Sequence, residues 1–178
     1  MNRDGQVKHK ISIPLAIGVA VVLMGCAERK APGTPPAQAS ITRITEYRAG
    51  LDAYAAGRPE KALQHFSAAA NQGNVNAQYY VGLMHANGEG TKRDFREAAK
   101  WYRKAAARNQ PDALVNLARL HVMGLGVDAD AQKAVELFGR AAKVYPPGEK
   151  RNQAAEQGKA LAAIVASNTA PNERAVAQ

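Results

Sequence analysis

The chain has 178 residues, room for one domain of ordinary size plus tails, and its 46% hydrophobic content is normal for a soluble globule. Its single cysteine, Cys26, excludes an intrachain disulfide, and its formal net charge of +9 admits nucleic acid, anionic lipid or an acidic polymer without choosing among them. One Trp and three Phe against abundant Ala suit close-packed helices, and no stretch alternates β-branched with polar residues, so a sheet is not expected.

The first ten residues carry Arg3, Lys8 and Lys10 against Asp4, and an apolar run follows from Ile11 to Gly25. This is the basic and apolar order of a secretory signal. As a helix the run would measure roughly 22 Å, short of a hydrocarbon core of about 30 Å. Pro14 shortens it further, so a signal over residues 1–25 is expected in place of a spanning anchor. The run ends in Leu23-Met24-Gly25-Cys26, which resembles a bacterial lipobox, although Met24 departs from the usual Ala, Ser or Thr. The resemblance implies cleavage before Cys26, diacylation of its thiol and acylation of the new amino terminus. Acyl chains at about 0.8 kcal/mol per buried methylene would hold a soluble domain at a membrane. Ala27, where an Asp would imply inner-membrane retention, implies the outer membrane with the domain facing the periplasm. Residues 26–40, rich in Pro and Ala, read as a linker that spans about 40 Å when extended.

A helical repeat is expected over residues 41–167. Shifting the chain by 36 residues places Ala77 on Ala113, His85 on His121, Gly88 and Gly90 on Gly124 and Gly126, and Asp94 on Asp130. The same shift places Ala98 on Ala134, Trp101-Tyr102 on Leu137-Phe138 and Ala105-Ala106 on Ala141-Ala142. A third copy, Ala49 to Ala70, fits with a loop five residues shorter: Tyr54 answers His85, Gly57 answers Gly88 and Ala62 answers Ala98.

The spacing reads as helix pairs. Ala77, Val81, Met84, His85 and Gly88 share one helical face, as do Phe95, Ala98, Ala99, Tyr102, Ala105 and Ala106 on the next helix. Gly88 and Gly90 stand where a helix ends in a left-handed residue. Asp94 with Glu97 reads as a capping box, and Asp130 offers the same N-cap with Lys133 in place of the acid. Small residues at Gly82, Ala118, Ala105 and Ala141 let partner helices approach. Such pairs leave apolar edges that only stacking covers. A closing helix after Pro146-Pro147-Gly148 would offer Ala154, Leu161, Ile164 and Val165 to the last pair. Residues 168–178 lack an apolar face and are expected to fray.

The central segment AQYYVGLMHANGEGTKRDFREAAKWYRKAAARNQ resembles a Sel1-like repeat, with His85 and His121 at a usual Tyr position and Thr91 at a usual Val. The first copy is closer to a tetratricopeptide unit. The resemblance, over roughly residues 41–145, implies an all-α solenoid of about three helical pairs plus a carboxy-terminal capping helix. It also implies a binding surface on the concave side, where first helices face the partner. Carried onto this chain, the resemblance implies that this surface offers Tyr80, Leu83 and Asn87 from one copy and Asn116, Arg119 and Met123 from the next.

No catalytic or metal constellation stands out, and no cofactor is expected. His65, His85 and His121 are the histidines after the signal; the last two read as core-facing residues with satisfied polar edges, against the alternative of a shared metal or proton switch. Glu89, between two glycines, lacks the partner carboxylate that a glycosidase needs and reads as a turn residue. Arg96, Lys100 and Arg103 form a basic stripe, which is either a solvated face or a dock for lipid headgroups or an acidic glycan. An exported lipoprotein disfavours nucleic acid. The expected function is non-enzymatic: a lipid-anchored scaffold or assembly factor binding a protein partner in an envelope pilus, secretion or exopolysaccharide complex. The competing readings are a structural lipoprotein that binds the cell wall or an acidic glycan and, further off, a cell-wall enzyme.

Overall fold

A computed structural model describes the backbone of residues 36–169 and the side chains of residues 41–168. Cys26, the signal sequence and the start of the linker lie outside the described residues. Those residues form seven helices and no strand: α1 (Pro36–Ala55), α2 (Pro59–Asn71), α3 (Val75–Asn87), α4 (Phe95–Ala107), α5 (Pro111–Met123), α6 (Ala131–Val144) and α7 (Glu149–Thr169). Each odd helix packs on its successor, α2 on α3 and α4 on α5 join the pairs, and α7 lies against α6. The fold is the expected all-α solenoid of three pairs and a closing helix.

Two boundaries differ from the sequence reading. The segment read as linker to residue 40 is helical from Pro36, because a proline's fixed φ suits a first helical turn and Ala-Gln-Ala-Ser continue it readily. The expected tail from residue 168 still belongs to α7, which runs to Thr169.

The pairs interlock through a large ring and a residue with little or no side chain. Phe66, Tyr102 and Phe138 recur at the 36-residue period on α2, α4 and α6, each 4% exposed or less. A Cβ added at Gly50 would lie 2.5 Å from the Phe66 ring, and one at Gly82 would lie 2.7 Å from the Tyr102 ring. Only glycine fits these two crossings. The third pair has the buried Ala118 at the register of Gly82. Ala62, Ala98 and Ala134, all fully buried, hold the equivalent position in each second helix. Burying each large ring is worth roughly 1.5–3 kcal/mol, the main local driving force for pairing.

The loops inside the second and third pairs pack each pair onto the one before. Gly88 and Gly124 end α3 and α5 with left-handed φ of 77° and 65°. Gly90 and Gly126, with φ of 69° and 67°, lie against the backbone that opens α2 and α4: an added Cβ would come within 2.5 Å of Pro59 O and 2.3 Å of Phe95 C. Thus each loop rests on the second helix of the preceding pair. Asp94 accepts hydrogen bonds from the backbone N–H of Arg96 (2.8 Å) and Glu97 (3.1 Å), which hold its carboxyl below its ordinary pKa. The expected capping box is only half formed, because Glu97 binds Lys100 and the Asp94 N–H donates to His85 O. Asp130 caps α6 through the Lys133 N–H, and Asn74 caps α3 through the Ala77 N–H.

Candidate functional site

Three adjoining grooves lie on the face built by the first helices α3, α5 and α7. The first, of about 280 Å³, is lined by Leu83 and Asn87 of α3 and by Asn116, Arg119 and Met123 of α5. Five of the six residues read from sequence as a partner surface therefore come together. Their helices carry them at i, i+3 and i+7 on α5 and at i, i+4 on α3, one face of each helix.

Tyr80 is not in that groove. Its ring stacks on Phe66 with centroids 4.7 Å apart and planes 10° from parallel, and it also meets Tyr47 and Tyr54, each at 6.1 Å. It is part of the packing between α2, α3 and α1. The neighbouring Tyr79 faces the site instead and lines the second groove. The sequence reading could not separate two adjacent tyrosines on a helix that is apolar on several sides.

The second groove, of about 210 Å³, lies among α3, α5 and α7 and is polar; its lining includes Tyr79, Asp112, Arg119, Lys150, Gln153 and Gln157. Here the Tyr145 hydroxyl donates to Asp112 Oδ1 at 2.7 Å and Lys150 Nζ reaches the same oxygen at 3.1 Å. Burial would raise the Asp112 pKa, but the hydrogen bonds from Tyr145 and Lys150 outweigh it and hold the carboxyl below its ordinary value. Burial and the same carboxylate push the Tyr79 hydroxyl up to about 12 and the Tyr145 hydroxyl well above its ordinary value. Asp112, Tyr145 and Lys150 thus tie α5 to the end of α6 and the start of α7. None of the three was singled out by sequence, since they belong to different helices and no spacing links them.

The third groove, of about 410 Å³, lies between α5, α6 and α7 and is apolar, lined mainly by Val122, Met123, Phe138, Leu161 and Ile164. Arg119 borders all three grooves. Of the closing-helix residues, Ala154 is buried and Leu161 packs against the core, but Ile164 is 56% exposed and faces this groove.

The basic stripe lies elsewhere. Arg96, Lys100 and Arg103 are all exposed on α4, away from the three grooves. Lys100 pairs with Glu97 at 3.1 Å, a solvent-exposed contact that contributes little, while Arg96 borders the Gly124–Gly126 loop. His121 Nδ1 lies 3.1 Å from the carbonyl of Asp128. His85 departs from the expected satisfied edge: its Nδ1 is buried with no hydrogen-bond partner. Among the described residues no group of three or more His, Cys, Asp or Glu could hold a metal ion. Glu89 accepts from the Tyr54 hydroxyl at 2.8 Å and from Asn87 Nδ2 at 2.9 Å, so this turn residue also clasps α1.

A solenoid of stacked helical pairs, with glycine loops that rest on the preceding pair, is the class of structure these observations define. The Sel1 repeat family model matches residues 46–74, 75–110 and 111–143, and the chain belongs to the Sel1 repeat family. The first copy, closer by eye to a tetratricopeptide unit, is among the three. Protein sel-1 homolog 2 of Homo sapiens is 38% identical over 86 residues, which are 48% of this chain and 12% of that protein. An exopolysaccharide production negative regulator of Rhizobium meliloti (strain 1021) is 25% identical over 172 residues, 86% of this chain and 62% of the relative. The crystal structure of a Sel1 repeat protein from Oxalobacter formigenes superposes with a TM-score of 0.58 and 32% identity, over 68% of this chain and 47% of that one. The chain thus spans only part of the relatives it matches.

Proposed function

We propose that this protein is a scaffold that holds a protein partner in the cell envelope, on the face lined by α3, α5 and α7, and does so without chemistry. The observation that carries the reading is the run of three contiguous grooves around Arg119, built on helices whose positions the core fixes. A polar and an apolar groove side by side suit a protein surface, which offers both kinds of group. The lipid anchor at Cys26, with the domain facing the periplasm from the outer membrane, is supported by the basic start, the apolar run and Leu23-Met24-Gly25-Cys26. A place in exopolysaccharide export or its control is supported by the likeness to the Rhizobium meliloti regulator; pilus or secretion complexes would call for the same kind of assembly factor.

Cross-linking in intact cells tests the reading. A protein cross-linked to the wild-type chain should be lost when Arg119→Glu and Met123→Glu are combined, while helical content is unchanged; both side chains are exposed, so the fold should survive. Persistence of the cross-link would refute the surface. For the anchor, Cys26→Ser should abolish processing and membrane attachment, and unchanged fractionation would refute it. A second reading, contact with lipid headgroups or an acidic glycan, is favoured by the exposed Arg96 and Arg103, whose guanidinium groups make no hydrogen bond or ion pair among the described residues. Such binding should weaken steeply with salt. Equal affinity at low and high salt would rule it out.

A further inference from the structure

We propose that the partner segment seated at Arg119 is a linear peptide carrying an acidic side chain next to a large aliphatic one. The proposal rests on the scaffold reading and specifies the chemistry of its partner. Among the residues lining the three grooves, the charged ones are Asp112, Lys150 and Arg119. Asp112 and Lys150 neutralise each other at 3.1 Å. The Arg119 guanidinium makes no hydrogen bond or ion pair among the described residues, so the surface presents one uncompensated positive charge, at its centre.

That charge constrains the occupant. A neutral segment laid over Arg119 would desolvate a cation and offer it carbonyl acceptors but no counter-charge, a poorer exchange for water than a carboxylate gives. A carboxylate meets it in the planar two-pronged geometry that a guanidinium favours. The amide of Gln157, which lines both the polar and the apolar groove beside Arg119, can donate to the same carboxylate, whereas the Gln153 amide already donates to Glu149 Oε1 at 2.8 Å. On the other side of Arg119 the surface is apolar: Val122, Met123 and Ile164 are 45%, 57% and 56% exposed over a floor that includes Leu161 and Phe138. A large aliphatic side chain beside the acid would cover that patch and gain by taking its apolar surface out of water. An acidic glycan would satisfy the arginine but has no aliphatic group for the patch. Lipid headgroups bear their charge at the bilayer surface, where the grooves would have to lie flat against it.

The test is selection of random end-capped peptides on the full chain in neutral detergent micelles, followed by titration of an enriched peptide. Enriched peptides are expected to share Asp or Glu adjacent to Leu, Ile, Val or Met. Changing the acid of such a peptide to its amide should weaken binding about tenfold or more to the wild type, and hardly at all to Arg119→Gln, because a charge-assisted hydrogen bond is worth roughly 1.5–3 kcal/mol. Ile164→Ser should weaken every such peptide several-fold. No shared sequence, a shared basic sequence, or an equal acid-to-amide loss in wild type and Arg119→Gln would overturn the proposal. So would displacement of the peptide by phosphatidylglycerol micelles, or self-association of the chain that Arg119→Gln abolishes. Should these fail while the cellular cross-link persists in Arg119→Gln but not in the Arg119→Glu, Met123→Glu double variant, the scaffold reading stands and this one does not.

Discussion

Gly126→Ala tests the claim that loops set the spacing of the stack. Gly57 and Gly126 have nearly the same φ, 66° and 67°, so alanine brings a similar left-handed strain at each, about 1–2 kcal/mol. Their surroundings differ. Nothing lies within 4 Å of a Cβ at Gly57, whereas a Cβ at Gly126 would fall 2.3 Å from Phe95 C and 2.4 Å from its carbonyl oxygen. Those atoms are backbone at the start of α4 and cannot rotate away, so overpacking should add roughly 1–3 kcal/mol. Gly90→Ala, which meets Pro59 in the same way, should behave like Gly126→Ala. Urea unfolding of residues 34–178, followed by far-ultraviolet circular dichroism, would measure the difference. Gly57→Ala should lower the midpoint slightly and the other two clearly more, with each kcal/mol worth roughly 2–4 °C in a parallel melt. Equal losses at all three positions would refute the loop contact.

Asn74→Ala should cost about 0.5–2 kcal/mol by removing the side-chain cap on Ala77 N–H, whereas Asn74→Asp should cost far less; equal losses in urea midpoints would contradict the cap. The Asp112 carboxyl, held below its ordinary value, contributes stability that is present above about pH 4 and disappears as pH falls through its folded value. Tyr145→Phe should raise that value, read as a shifted Asp112 side-chain carboxyl titration by NMR, and make acid destabilisation less steep. At alkaline pH the sign reverses. Of the six tyrosines, Tyr79, Tyr102 and Tyr145 favour the neutral hydroxyl when folded, chiefly through burial. Stability should therefore fall as pH rises above about 10, with tyrosinate absorbance and loss of helix appearing together. Independent titration of all six at pH 10 in a fully helical chain would contradict this burial.

Much of the fold is legible in the chain because its rules are local and repeated. Alanines at a 36-residue period, paired glycines after α3 and α5 and an aspartate before α4 and α6 each have a short-range physical meaning, and the register that aligns them also aligns the core. Helical spacing puts Asn116, Arg119 and Met123 on one face, and the resemblance to Sel1 repeats names that face. What escaped was either adjacent or distant. Tyr79 and Tyr80 differ by one residue on a helix buried on several sides, and only the place of Phe66 decides which ring faces the groove. The link of Asp112 to Tyr145 and Lys150 joins residues 33 and 38 apart with no motif to announce it. Glu97 shows the same limit: its spacing fits a capping box, but Lys100 on the next turn competes for its carboxylate.

The alanine seams have a consequence for how a partner is met. Ala62, Ala98, Ala99, Ala105, Ala134 and Ala141 offer no rotamers to exchange, and the rings they face are pinned against glycine or alanine. Helices joined in this way have scarcely any alternative packing, so the surface they carry cannot remould itself to a visitor. Adaptation must come from the other molecule, which favours supple, extended guests over rigid globular ones.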